Sequence, residues 1–126
     1  MKSSLRPVHL DLLRIHLPVT GWVSILHRVS GALLFLALPA CVWALSVSLA
    51  DEAGFRRLAD CASQPLAKFL LLGLTWAFAH HLFAGLRHLA LDVDLGVARQ
   101  AARRSSVAVF ALSAAATLAV AWRLFA

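Results

Sequence analysis

Three histidines and an arginine fall within nine positions of one apolar run, HHLFAGLRHLALD at 80–92: His80, His81, Arg87 and His88. The stretch before it, KFLLLGLTWAFA, has the composition of chain that lives in lipid. Ionisable groups at membrane depth are costly, and they face a cofactor, a partner or a water-filled cavity. On a helix, residues at i, i+4 and i+7 share a face, so His81, Gly85 and His88 form one strip. His80, Ala84 and Arg87 form the adjacent one. Gly85 leaves room one turn from His81 for something flat and wide, and a haem plane is such a body. A neutral imidazole in apolar surroundings is a good axial ligand to haem iron. The other use of such a side chain is a hydrogen bond between helices. From this stretch alone, His80 is as eligible a ligand as His81.

A second polar cluster, SILHRVSG, occupies 24–31. Ser24, Arg28 and Gly31 share one helical face, with His27 at i+3 from Ser24. A guanidinium close to a membrane boundary can snorkel to the interface on its apolar stem. A hydroxyl and a guanidinium one turn apart can also both donate to a carbonyl oxygen that becomes negative on reduction, and donors held ready for developing charge are the usual electrostatic device. A quinone ring offers such an oxygen, and its apolar tail would lie among helices.

The elements that must hold these clusters follow from composition. The 126-residue chain is 61% hydrophobic and only 14% charged, with mean hydropathy +0.80. A soluble domain carries about 25% charged residues, so the class is an all-α membrane protein of one domain. The net charge of +6 is not gathered into one dense basic stretch, which speaks against nucleic acid. Cys41, in an apolar run, and Cys61, in a polar connector, make neither a disulfide framework nor a metal spacing. No cleavable signal peptide is expected, because the first apolar run is far longer than the roughly 7–15 residues of a signal core.

Hydropathy predicts three transmembrane helices at about 22–50, 65–91 and 105–126, each longer than the ~20 residues a helix needs to cross a bilayer. Pro39 inside the first removes one helical hydrogen bond, which membrane helices tolerate when neighbours satisfy the freed carbonyl. The third is rich in Ala, Ser and Thr, and the pairs Ala111/Ala115 and Ser113/Thr117 let helices approach closely. The lead at 1–21 is expected at the cytoplasmic surface. Basic residues set orientation. Lys2, Arg6 and Arg14 in the lead and Arg99, Arg103 and Arg104 in the connector DVDLGVARQAARR outweigh Arg56 and Arg57 in DEAGFRRLADCASQ. This predicts a cytoplasmic N-terminus and a periplasmic C-terminus, with Trp22, Trp43 and Trp122 as interfacial anchors. On a rise of 1.5 Å per residue, His81 then lies roughly 16 Å deep, Arg28 about 9 Å and His88 about 6 Å. His81 suits an iron ligand at mid-membrane. His88 and Arg87 suit propionates or another anionic edge nearer the cytoplasm.

With both clusters in view, the chain resembles the cytochrome b membrane-anchor subunit of bacterial succinate dehydrogenase, the larger of its two anchors. The resemblance rests on RPVHLDL at 6–12, SILHRVSG at 24–31 and HLFAGLRHLALD at 81–92, which fits the pattern H-x-x-x-G-x-R-H, and it covers nearly the whole chain. It implies that His81, four residues before the glycine, is the axial ligand of haem b. It implies that Ser24 and Arg28 line a ubiquinone site, and that His27, His88 and Arg28 lie near the haem propionates. His80 is not part of the pattern. The second axial histidine would come from a smaller membrane-anchor subunit, and the three helices would pack with that subunit around the haem. An iron–sulfur subunit and a flavoprotein subunit complete the implied complex in the bacterial inner membrane, docked through the lead at 1–20 and the 92–104 connector. The chain carries no flavin motif and no cysteine cluster, so alone it is expected to be non-catalytic.

Three other readings share these residues. One is a haem-free helical anchor or assembly protein with its histidines bonded between helices. Another is a self-contained cytochrome b using His27 and His81 as paired ligands. The third is the anchor of a fumarate reductase, running the same electron path in reverse.

Overall fold

The computed structural model describes residues 17–126; the lead at 1–16, with RPVHLDL, lies outside the described residues. Four helices follow in order: α1 (Val19–Ala50), α2 (Glu52–Ser63), α3 (Pro65–Asp92) and α4 (Arg99–Phe125). No strand occurs among the described residues, so the protein is all-α. Three of the helices, α1, α3 and α4, are long and apolar enough to cross a membrane. At 1.5 Å per residue the 32 residues of α1 extend about 48 Å, beyond the ~30 Å hydrocarbon core, so its ends reach the interfaces. The helix runs unbroken through Pro39.

The connector 51–64 is itself helical. Asp51 is extended, and its carboxylate accepts from the Gly54 N–H, capping α2 at its N-terminus. Gly54 lies so close against the Val47 carbonyl of α1 that a side chain has no space there, which lets α2 fold back sharply from the end of α1. Phe55 and Leu58 alternate with Arg56, Arg57 and Asp60 around α2, giving the strong amphipathicity of a helix lying along an interface. Pro65 starts α3 at the position where its missing N–H costs nothing.

The turn from α3 to α4 closes through two backbone bonds. Leu95 N–H donates to the Ala90 carbonyl at 2.9 Å and Asp94 N–H to Leu91 at 3.0 Å, with Asp94 in the left-handed region at φ 60. This is the Schellman arrangement, which satisfies carbonyls orphaned at a helix end.

Helix α3 is central and packs against both α1 and α4. Small residues form the contacts: Val23 of α1, Ala84 of α3 and Val109 of α4 are the buried apolar core, with Phe83 and Phe110 against it. Ser30, Ser106 and Ser113 are buried beside them. Lipid tails are as apolar as leucine, so helices here associate through close packing and hydrogen bonds. Of the pairs expected in α4, Ser113 is buried and Thr117 half-buried, whereas Ala111 and Ala115 are exposed. The hydroxyl-bearing face of α4 makes the contact and the alanine face does not.

The α3–α4 pair is pinned at both ends. Near one end the Arg87 guanidinium donates to Ser105 Oγ at 3.0 Å and to the Ala102 carbonyl at 3.4 Å. At the other, Lys68 Nζ donates to the Leu124 carbonyl at 2.7 Å and lies over the Phe125 ring.

Candidate functional site

Consecutive residues on a helix point about 100° apart, and α3 is flanked on two sides. His80 therefore faces α4, and His81 faces α1.

The His80 ring is 0% exposed. It stacks on Trp76, with centroids 5.1 Å apart, and lies tilted against Phe110 of α4 at 5.3 Å. Neither ring nitrogen has a hydrogen-bond partner of good geometry among the described residues. It is sealed inside this chain's own helices. Arg87, two turns along the same strip, is 9% exposed and turned to the first turns of α4. In the structure Arg87, which sequence spacing offered to an anionic edge, is hydrogen-bonded to the start of α4.

On the other strip, His81 meets His27 of α1. Their rings stack with centroids 4.3 Å apart and planes at 16°, and His88 lies tilted against His27 at 5.1 Å. The space beside Gly85, expected to admit a flat body, is taken by the His27 ring: a Cβ on Gly85 would lie 3.4 Å from its Nε2. Three of the expected residues, His27, His81 and His88, are thereby gathered at one seam.

The tightest point of this seam is Gly31. A Cβ there would lie 2.8 Å from His81 Cε1 and 3.2 Å from Nδ1, so only glycine lets the imidazole rest on the α1 backbone. His81 Nδ1 is 3.1 Å from the His27 carbonyl oxygen. The buried Ser30 hydroxyl donates to the same carbonyl at 2.9 Å and stands 3.4 Å from His81 Nδ1. Sequence reading passed over Ser30, although it lies one turn from His27 and beside Gly31. An Nδ1–H that donates to a carbonyl leaves Nε2 with its lone pair, the arrangement common to metal-bound histidines. Nε2 has no partner among the described residues. No set of His, Cys, Asp and Glu there can close around a metal ion by itself. What this seam offers is one oriented imidazole.

Ser24 is half-buried and Arg28 exposed, one turn apart on α1. Neither side chain makes a hydrogen bond or ion pair among the described residues. Beyond His81, the groove between α1 and α3 becomes largely apolar, with Thr75 its one hydroxyl among the described residues. Leu34, Leu38, Cys41, Leu71, Leu74 and Phe78 line a space of about 570 Å³ there.

Three apolar spans around a seam of imidazoles define a small multi-pass helical membrane protein. The chain belongs to the family of succinate dehydrogenase/fumarate reductase transmembrane subunits, whose profile matches residues 2–120. It is 37% identical over 112 residues to the succinate dehydrogenase cytochrome b556 subunit of Coxiella burnetii, covering 86% of this chain and 87% of that protein. The subunit of the same name from Paracoccus denitrificans is 34% identical over 107 residues, with 84% and 82% covered. That from Rickettsia felis is 33% identical over 91 residues, with 72% and 70% covered.

Proposed function

We propose that this chain is the haem b-binding membrane anchor of a succinate dehydrogenase, with His81 as one axial ligand and Ser24 and Arg28 forming part of the ubiquinone site. The observation that carries the reading is His81 itself. Its Nδ1 is engaged by the His27 carbonyl at 3.1 Å, and its Nε2 has no partner among the described residues. The relatives named as cytochrome b556 subunits support haem b as the group concerned.

When bound, the haem supplies one-electron storage at its iron. Everything else asked of this chain is positioning. Helix α1 fixes the His81 ring, and the apolar residues of α1 and α3 surround it. His27 stands against His81 and His88 against His27, and both would be able to donate to the anionic edge of the group. Stacked rings 4.3 Å apart at 16° present faces to each other instead of opposed nitrogens, so His27 and His81 do not bracket an iron between them. As the family resemblance implies, a second ligand would come from a second, smaller anchor subunit.

Ser24 donates a hydrogen bond to a quinone carbonyl, and Arg28 stabilises the negative charge that develops on that oxygen during reduction. The excess of Arg in the 92–104 connector puts this end of the bundle at the cytoplasmic face of the inner membrane. There the iron–sulfur and flavoprotein subunits would dock and deliver electrons from succinate.

The test is an optical one on membranes containing the assembled complex. Succinate should raise a sharp b-type α-band, and a ubiquinone analogue added under anaerobic conditions with succinate oxidation blocked should bleach it. Absence of any b-type band would leave a haem-free anchor.

A further inference from the structure

We infer that Ser30 is a positioning residue for His81, and that Ser30, Gly31 and the His27 carbonyl together form a seat on α1 that fixes the plane and tautomer of the imidazole. The inference rests on the reading of His81 as the haem ligand.

Three distances close a triangle. Ser30 Oγ to the His27 carbonyl is 2.9 Å, that carbonyl to His81 Nδ1 is 3.1 Å, and Ser30 Oγ to His81 Nδ1 is 3.4 Å. The His27 carbonyl also takes the helical N–H of Gly31, so the Ser30 hydroxyl and the imidazole N–H share its remaining lone-pair side. Ser30 is 0% exposed, and its hydroxyl has no partner among the described residues outside this triangle. Gly31 supplies the floor, since any Cβ would displace the ring.

Each element constrains a different freedom. The carbonyl bond holds the proton on Nδ1 and leaves Nε2 for iron. The glycine sets how closely the ring approaches α1. The serine hydroxyl guards the Nδ1 edge against rotation of the ring about its Cβ–Cγ bond. Partners one shell out from a metal ligand change metal affinity by about 10–100-fold when removed, without touching the metal.

The experiment uses the assembled complex in native membranes, with membrane-bound flavin as the measure of assembly. Ser30→Ala, Ser30→Thr and Ser30→Val are compared by haem content per flavin after washing, and by the ferric low-spin electron paramagnetic resonance signal, which senses the orientation of the axial imidazoles. Thr and Val have the same shape and differ only in the hydroxyl. The expected result is about tenfold faster haem loss in Ser30→Ala and Ser30→Val, with a shifted and broadened low-spin signal, and near wild-type behaviour in Ser30→Thr. Wild-type signal and retention in Ser30→Ala, or equal behaviour of the Thr and Val variants, overturns the seat. His81→Leu separates the two claims. If that variant keeps the b-type band, the ligand reading fails and the seat with it. If it loses the band while Ser30→Ala matches wild type, the seat alone fails.

Discussion

His80 and His81 are joined by a peptide bond and have opposite surroundings. The His80 ring is enclosed between Trp76 and Phe110 with both nitrogens unpartnered among the described residues, while the His81 ring rests on Gly31 with Nδ1 against the His27 carbonyl. One residue of helical rotation separates a side chain locked inside the chain from one held at the functional seam.

A buried polar group without a partner costs about 1–3 kcal/mol, and replacing it by an apolar side chain of similar size removes that cost. His80→Leu is therefore expected to keep the b-type band and to be neutral or stabilising by about 1–2 kcal/mol. Haem content and the thermal midpoint of the detergent-solubilised complex check it.

Gly31→Ala is expected to act on His81 across the seam. Its methyl group would sit 2.8 Å from His81 Cε1, and neither a helix backbone nor a ligated ring can yield that much freely. Overpacking of this kind costs about 1–3 kcal/mol. Haem content should fall while flavin stays on the membrane; an unaltered spectrum would show that the ring does not rest on α1.

Ser24 and Arg28 are predicted to affect quinone chemistry alone. Arg28→Ala should lower succinate–quinone turnover about a hundredfold, in the range for loss of one donor to developing charge, and Ser24→Ala about tenfold, the worth of one neutral hydrogen bond. Arg28→Lys should rescue only in part, since a point charge does not reproduce the guanidinium fork. Haem content and electron transfer from succinate to an artificial acceptor at the soluble subunits should both stay at wild-type levels.

Arg87 holds α4 through Ser105 and the Ala102 carbonyl. Hydrogen bonds to a charged group contribute about 1.5–3 kcal/mol, so Arg87→Leu should lower the stability of the solubilised complex by about that much. The position of the b-type band should not change. A shifted band with unchanged stability would move Arg87 to the haem edge.

The two cysteines report topology without engineering. Cys61 is exposed on the interfacial helix α2, and Cys41 is exposed within the span α1. A membrane-impermeant maleimide applied to intact spheroplasts should label Cys61 and leave Cys41 unmodified. Labelling of Cys61 only in inverted vesicles would reverse the orientation.

The helical membrane class was readable from apolar runs alone, because a bilayer imposes one solution on backbone hydrogen bonding. Hydropathy could not see that α4 begins at Arg99, since Arg and Gln are good helix formers outside lipid. The helix at 52–63 was missed for a similar reason: its polar residues read as a connector, and its start depends on Asp51 and on the close contact of Gly54 with Val47. At the site, spacing sorted His80 from His81 into separate strips but could not say which strip met which helix. That depends on α3 lying between α1 and α4. Arg87 and Ser30 illustrate the same limit. The first was offered to an anion and is bonded to α4; the second carried no signal beyond standing beside a glycine, and it touches His81 from 51 positions away.

The most direct test of the account is the reduced-minus-oxidised spectrum of membranes carrying His81→Leu set beside that of membranes carrying His80→Leu, with succinate as reductant and flavin content equal. The account predicts that the b-type α-band is lost in the first and unchanged in the second. A band that survives His81→Leu and disappears with His80→Leu would contradict it.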